Sequence, residues 1–224
     1  MTDTLNRSAP DAPGASPAER RVALLRTIGY YAAFIALGMA SASLGPTLPG
    51  LAQHTRSSLS QISALFVTRS VGYLAGSLAG GRLYDRIPGH PVMSGGLLLM
   101  AGMMGLVPVI PHLWTLAVAI LLLGLAEGAL DVGGNTLVVW VHGKMVGPLL
   151  NALHFFFGLG AFLSPLLIAQ VMLRGGDLAH AYWTVAALLL PAALWLRCLP
   201  SPAAASVTAD GAGPEGNGRL VALI

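Results

Sequence analysis

The sequence predicts an all-α membrane protein with six transmembrane helices, on three observations. Of the 224 residues, 55% are hydrophobic and only 9% are charged, whereas soluble domains carry about 25% charged residues. Long uncharged segments recur along the chain. The short alternating segments of a β-barrel are not found, and helices are the other structure that satisfies its own backbone polar groups inside a bilayer.

Six segments are long enough to cross a bilayer, which takes roughly 20 mostly apolar residues. They cover approximately residues 27–53, 58–80, 91–111, 113–140, 146–173 and 179–197. Short turns with proline, glycine or charge separate them. Glycine is abundant without a period, and small residues let spanning helices approach closely. We therefore expect one tightly packed bundle over residues 23–200.

The two ends of the chain differ from this bundle. Residues 1–22 are rich in proline, alanine and serine without an apolar period, which predicts a disordered cytoplasmic tail. Residues 201–224 form a polar linker that ends in RLVALI. That ending is typical of the start of a seventh helix and would make the chain a fragment, but a structureless carboxyl terminus explains it equally well.

Basic residues predict the orientation in a cell membrane, because short cytoplasmic loops are enriched in Lys and Arg. A cytoplasmic amino terminus leaves only Arg56 and Arg174 outside. It places the following residues inside: Arg7, Arg20, Arg21, Arg26, Arg82, Arg86, Lys144, Arg197 and Arg219. Their scattered placement at helix borders argues against a nucleic-acid partner. The first apolar segment is too long for a cleaved signal peptide.

Charges inside the fourth segment are the first candidates for function. Glu127, Asp131 and Asn135 recur every four residues, so they form one polar stripe on a helix. A charge at a bilayer centre costs at least about 2.5–3.5 kcal/mol, so this stripe is expected to face a wet cavity. A poorly hydrated carboxylate can take up a proton on one side and release it on the other. We predict cation coupling at Asp131 first and Glu127 second, with Asn135 binding a solute hydroxyl.

Arg69 brings a positive charge to a similar depth in the second segment. At 1.5 Å per residue, its level differs from that of Glu127 by only about 5 Å. We hypothesise that Arg69 forms an ion pair with an acidic residue of the fourth helix and that solute or cation binding weakens the pair. The alternative is that Glu127 and Asp131 merely neutralise Arg69, with no transport past them.

The fifth segment carries candidate solute ligands of two kinds. Asn151 and His154 are spaced to share a helix face and offer hydrogen bonds. One of the three phenylalanines at 155–157, for which we take Phe157, could stack on the apolar face of a sugar. Three consecutive aromatics point in three directions, so packing explains at least one of them. A partner on another helix is the equal alternative for His154.

The loop between the second and third segments reads GGRLYDRIPGHP. Gly81, Asp85, Arg86 and Gly89 fit the pattern Gly-x-x-x-Asp-Arg-x-Gly with one extra residue before the last glycine, and here the sequence resembles the major facilitator superfamily. The resemblance implies that Gly81, Asp85 and Arg86 belong to a loop that latches one conformation. Asp85 can cap a neighbouring helix, and Arg86 can face a carboxylate or a lipid phosphate. An ordinary charged loop is the alternative.

A longer resemblance covers roughly residues 28–175. LGPTLPG, FVTRSVGYLAGSLAGGRLYDR, GLAEGALDVGGNTLVVW and LNALHFFFGLGAFLSPLL resemble the sodium-dependent glucose transporter-like and fucose permease-like branch of that superfamily. The resemblance implies two six-helix halves, each of two inverted three-helix repeats, with this chain as the amino-terminal half. It also implies sugar uptake coupled to H⁺ or Na⁺, with the acid at Asp131 linked to protonation and substrate binding. The first helix, MASASLGPTLPG, lacks the acid that fucose permease-like members carry there.

The leading functional hypothesis is half of a secondary sugar transporter that needs a second six-helix half or a second copy. The alternative is a six-helix scaffold or assembly protein in the membrane that transports nothing. An enzyme is not expected, because the sequence has no metal-spaced His or Cys set, no Gly-x-Ser-x-Gly turn and no phosphate loop. We therefore expect no cofactor and no metal. The expected partners are the solute, the coupling cation and membrane lipid.

Overall fold

The structure, a computed structural model, describes residues 16–143 and 146–202. Within these ranges the regular elements are helical: α1 Pro17–His54, α2 Leu59–Tyr84, α3 Gly89–Leu106, α4 Leu113–His142, α5 Gly147–Leu173 and α6 Leu178–Cys198, with a 3-10 turn at Val107–Val109. Six helical spans are long and apolar enough to cross a membrane. The predicted all-α, six-helix membrane fold is confirmed.

The amino end of α1 corrects the predicted bounds of the tail. Ser16 caps the helix by accepting a hydrogen bond from the Glu19 backbone N–H, and the Glu19 carboxylate accepts one from the Ser16 backbone N–H. Pro17 is the first helical residue, a position that suits proline because its missing N–H has no partner there. Residues 17–22 therefore belong to the helix and not to the tail. The predictions for residues 1–15 and 203–224 lie outside the described residues.

The helix contacts follow the symmetry of two three-helix repeats, α1–α3 and α4–α6. The most extensive contacts join α2 with α4 and α1 with α5, and α3 packs mainly on α6. Exchanging the repeats turns the first pair into the second and leaves the third unchanged. Equivalent helices cross the membrane in opposite directions because three spans separate them. The six helices thus form two inverted repeats.

Glycines bring α2 and α4 into backbone contact. A methyl group at Gly72 or Gly76 would overlap a backbone carbonyl oxygen of α4, and one at Gly124 or Gly128 would overlap a backbone carbonyl oxygen of α2. Small residues four apart allow this approach in membranes, where apolar burial does not drive helices together. Because α2 and α4 run parallel, a spacing of four on each keeps the two helices in register over several turns.

Tryptophans lie toward both ends of α4 and α6. Trp114 and Trp183 lie near the first residues of α4 and α6, and Trp140 and Trp195 lie near the last residues of the same helices. The indole N–H of Trp183 donates to the Gly105 carbonyl at 3.1 Å. Tryptophan favours the membrane interface, and its placement toward helix ends fits helices that cross a bilayer.

The α2–α4 contact predicts that two glycines respond differently to the same substitution. Gly76→Ala should lower the stability by about 1–3 kcal/mol, because the added methyl group forces the two backbones apart. Gly102→Ala in α3 is the matched control, since nothing lies within 4 Å of its added methyl group. Thermal unfolding of both variants in detergent measures the difference. Equal melting temperatures would contradict close α2–α4 packing.

Candidate functional site

A cavity of about 430 Å³ lies among α1, α2, α4 and α5. It contains both signs of charge, several hydroxyl groups and aromatic rings. Its lining residues are Leu37, Ser41, Phe66, Arg69, Ser70, Tyr73, Glu127, Asp131, His154 and Phe157. The cavity therefore collects polar groups from four helices whose remaining surfaces are mostly apolar.

Arg69 joins three helices at the edge of this cavity. Its Nε donates to Glu127 Oε2 on α4 at 2.7 Å, and its Nη1 donates to the Ser41 carbonyl oxygen on α1 at 2.8 Å. Its Nη2 donates to the Ser41 hydroxyl. All three guanidinium nitrogens are thus bonded, which is the arrangement a desolvated arginine needs.

Glu127 is almost completely buried, with a side chain only 1% exposed against 17% for that of Arg69. Its Oε2 accepts from Arg69, while its Oε1 is buried and has no hydrogen-bond partner among the described residues. A buried carboxylate oxygen without a donor is costly. Glu127 therefore has one oxygen with capacity for a cation or a donor.

Asp131 lies one helical turn from Glu127 and accepts a hydrogen bond from α2. The Tyr73 hydroxyl donates to Asp131 Oδ2 at 2.6 Å. The Asn135 side-chain amide donates to the Asp131 backbone carbonyl at 2.8 Å and lies 3.4 Å from Oδ1. Asp131 is half-buried and lines the cavity, so water or a solute can reach it.

Tyr73 was missed by the sequence analysis, although a signal for it exists. Arg69 and Tyr73 are four residues apart on α2, as Glu127 and Asp131 are on α4, and both contacts join residues at the same sequence separation. Parallel helices preserve such an offset from one turn to the next. A polar residue four positions after Arg69 is therefore the expected partner of Asp131.

The predicted ligands of α5 divide into two groups. His154 and Phe157 line the cavity, and the His154 ring lies edge-on to Phe34. Asn151 is exposed and is not part of the lining. The other two phenylalanines point elsewhere: Phe156 stacks on Tyr31, and Phe155 is 67% exposed.

Asn135 also takes a different place from the predicted one. Its amide bonds to the preceding turn of α4, and it does not line the cavity. The polar side chains that do line the cavity are Ser41, Arg69, Ser70, Tyr73, Glu127, Asp131 and His154. Ser70 and Tyr73 went unnoticed in the sequence because single hydroxyl groups are common in apolar helices.

The loop with the superfamily pattern forms the turn between α2 and α3. Asp85 and Arg86 are both exposed there. Helix α3 begins after Pro88 without a side-chain cap, so Asp85 does not cap it, contrary to the expectation from the sequence. A methyl group at Gly81 would meet nothing within 4 Å, whereas one at Gly89 would overlap the Leu137 side chain. The last glycine of the pattern thus packs against a neighbouring helix, and the first does not.

The chain matches a known protein family over most of its length. The family model described as Major Facilitator Superfamily matches residues 30–221. The chain belongs to this superfamily. It is a multi-pass membrane protein of six spans within the described ranges, and no group of three His, Cys, Asp or Glu there could hold a metal ion.

Relatives in the superfamily match the chain over much of its length. Sodium-dependent glucose transporter 1 of Danio rerio is 40% identical over 143 residues, 64% of this chain and 24% of that protein. The rat (Rattus norvegicus) protein of the same name is 36% identical over 167 residues, 75% of this chain and 34% of that protein. Major facilitator superfamily domain-containing protein 4A of Mus musculus is 36% identical over 143 residues, 63% of this chain and 28% of that protein. The matched part of the chain thus spans 24–34% of the length of these relatives.

The Arg69–Glu127 pair predicts strong non-additivity between two substitutions. Arg69→Met should cost about 3–5 kcal/mol because it leaves the Glu127 charge buried and unpaired. Adding Glu127→Gln should restore at least half of that loss, because no uncompensated charge remains. Unfolding in mixed detergent micelles with increasing dodecyl sulfate gives the free energies.

The control for charge removal is Arg197→Met. Arg197 is exposed in the last turn of α6, so its loss should change stability little. If the double variant instead loses the sum of the two single losses, Arg69 and Glu127 do not form an energetically coupled pair.

Proposed function

We propose that this chain forms one wall of a path through which a sugar crosses the membrane together with Na⁺. The observation that carries the proposal is the cavity in which Asp131 lies one turn from the Arg69–Glu127 pair. Charged groups inside a spanning bundle are costly and mark ion and solute paths. A protein with only a structural role has no use for two carboxylates and a cavity at this depth.

The lining chemistry suits a sugar. Sugars combine hydroxyl groups with an apolar face of C–H bonds. Ser70, Tyr73 and Asp131 offer donors and acceptors, while Phe66 and Phe157 offer apolar rings on the same cavity. A cavity of about 430 Å³ lies in the range of small-molecule sites, about 300–1,000 Å³.

The charge balance supports a cation as the second ligand. Two carboxyl groups and one guanidinium line the cavity, and their formal charges sum to minus one. The Glu127 Oε1 atom has no partner among the described residues. Oxygen atoms are the ligands that hard cations take. The relatives named as sodium-dependent glucose transporters favour Na⁺ over H⁺.

The proposed path needs a second wall. Transporters with repeats of this kind move one bundle against another around a shared site. Helices α2 and α5 are the least buried of the six, although both border the cavity. We place a second six-helix body against this side, either another half or a second copy of this chain. The cytoplasmic position of the amino terminus belongs to the same proposal.

Asp131→Asn tests the transport proposal. The purified chain is separated into monomer and oligomer by size, reconstituted in liposomes and supplied with labelled D-glucose under an inward Na⁺ gradient, an inward H⁺ gradient or none. The oligomer should accumulate glucose with the Na⁺ gradient, and Asp131→Asn should reduce this accumulation at least tenfold. The reason is that the amide keeps the shape of Asp131 but removes its charge.

Asp177→Asn is the matched control. Hydrogen bonds from the His180 backbone N–H and imidazole hold the pKa of the exposed Asp177 carboxylate below its usual range, so this acid is ionised. Asparagine caps helices as well as aspartate does, so uptake should not change. A folded oligomer without accumulation under either gradient would favour the non-transporting scaffold. Uptake by the monomer would contradict the need for a second body.

A further inference from the structure

The Tyr73 hydroxyl occupies a position on Asp131 that a solute hydroxyl would also use. It donates to Asp131 Oδ2 at 2.6 Å, and both side chains line the cavity. A phenol and a sugar hydroxyl offer the same donor to a carboxylate. In this structure the protein itself therefore supplies the donor at Oδ2.

The backbone of Tyr73 is held in place by α4. A methyl group at Gly128 would overlap the Tyr73 carbonyl oxygen, so α4 packs directly on the backbone of this residue. Tyr73 thus remains next to Asp131 while its side chain, 39% exposed, reaches the cavity. Only the side chain has to turn for the hydroxyl to leave the carboxylate.

The two carboxyl oxygens of Asp131 are held unequally. Oδ1 lies 3.4 Å from the Asn135 amide, which bonds to the backbone of the preceding turn at 2.8 Å. Oδ2 has the shorter bond, from the Tyr73 hydroxyl at 2.6 Å. A solute hydroxyl that binds Oδ2 where the phenol now lies has to displace it.

We propose that Tyr73 sets both the affinity and the turnover of the site by standing in for a solute hydroxyl on Asp131 when the cavity is empty. The inference rests on the proposed function and names a residue that takes part in it. Binding exchanges the phenol for the solute, and release exchanges the solute for the phenol. The exchange weakens binding, and it avoids a bare carboxylate oxygen when the solute leaves.

Tyr73→Phe separates these two effects. The variant keeps the ring and removes the donor, so equilibrium binding of D-glucose to the oligomer should become about tenfold tighter. Exchange of labelled glucose across liposomes at saturating concentration should become slower, because release leaves Oδ2 without a donor. A role limited to packing would not tighten binding and slow exchange together. Tyr31→Phe is the matched control, since the Tyr31 hydroxyl donates to the Leu149 carbonyl at 3.4 Å outside the cavity lining.

The same substitution in the Asp131→Asn variant tests whether Tyr73 acts through Asp131. In Asp131→Asn the further change Tyr73→Phe should leave glucose binding unaltered, because the acceptor that the phenol occupies has lost its charge. Unchanged or weaker binding in Tyr73→Phe alone overturns the inference, since the phenol would then contribute nothing or would bind the solute directly. Equal tightening in the Asp131→Asn background also overturns it. Failure of the unaltered chain to bind or exchange glucose instead contradicts the proposed function itself.

Discussion

The backbone contact between α2 and α4 is the constraint on which the site depends. Glycines at 72 and 76 on one helix and at 124 and 128 on the other remove the side chains that would separate the two backbones. At this distance short polar contacts can form between the helices. Both the 2.7 Å ion pair and the 2.6 Å hydrogen bond described above cross this seam. Wider packing would separate each carboxylate from its donor on α2.

A buried ion pair such as Arg69–Glu127 is not the most stable choice for this position. Replacing a buried pair with apolar side chains of similar size is often neutral or stabilising, and an arginine in a bilayer carries an additional desolvation cost. The bonds from Arg69 to the Ser41 hydroxyl and carbonyl offset part of this cost and connect α1 to the seam. A chain that keeps such a group inside the membrane therefore gains something other than stability from it. One such gain would be a site whose net charge changes when a cation or a solute binds.

Much of this structure could be predicted from the sequence because bilayers impose length and polarity on every span. The six helices and the polar stripe on α4 stand out against an apolar background. The helix cap at Ser16 was overlooked because the Ser-Pro-x-Glu pattern at residues 16–19 lies in a proline-rich segment that was predicted to be disordered. Tyr73 was overlooked because tyrosine is common in spanning helices, and its role depends on the register of α2 against α4. Asn151 was assigned to the site by its spacing from His154, but it is exposed and lies outside the cavity lining.

The two symmetry-related helix pairs, α2–α4 and α1–α5, share their packing but not their chemistry. The pair α1–α5 repeats the glycine contacts of α2–α4, with Gly38 against α5 and Gly160 against α1. Across that second seam, Ser164 donates to the Met39 carbonyl, and the described residues form no ion pair there. Close helix packing in this fold therefore works without charge. The acids and the arginine are found in the pair α2–α4 and not in the pair α1–α5. Packing does not account for them. This asymmetry is the strongest structural reason to assign them a role in moving a cation or a solute.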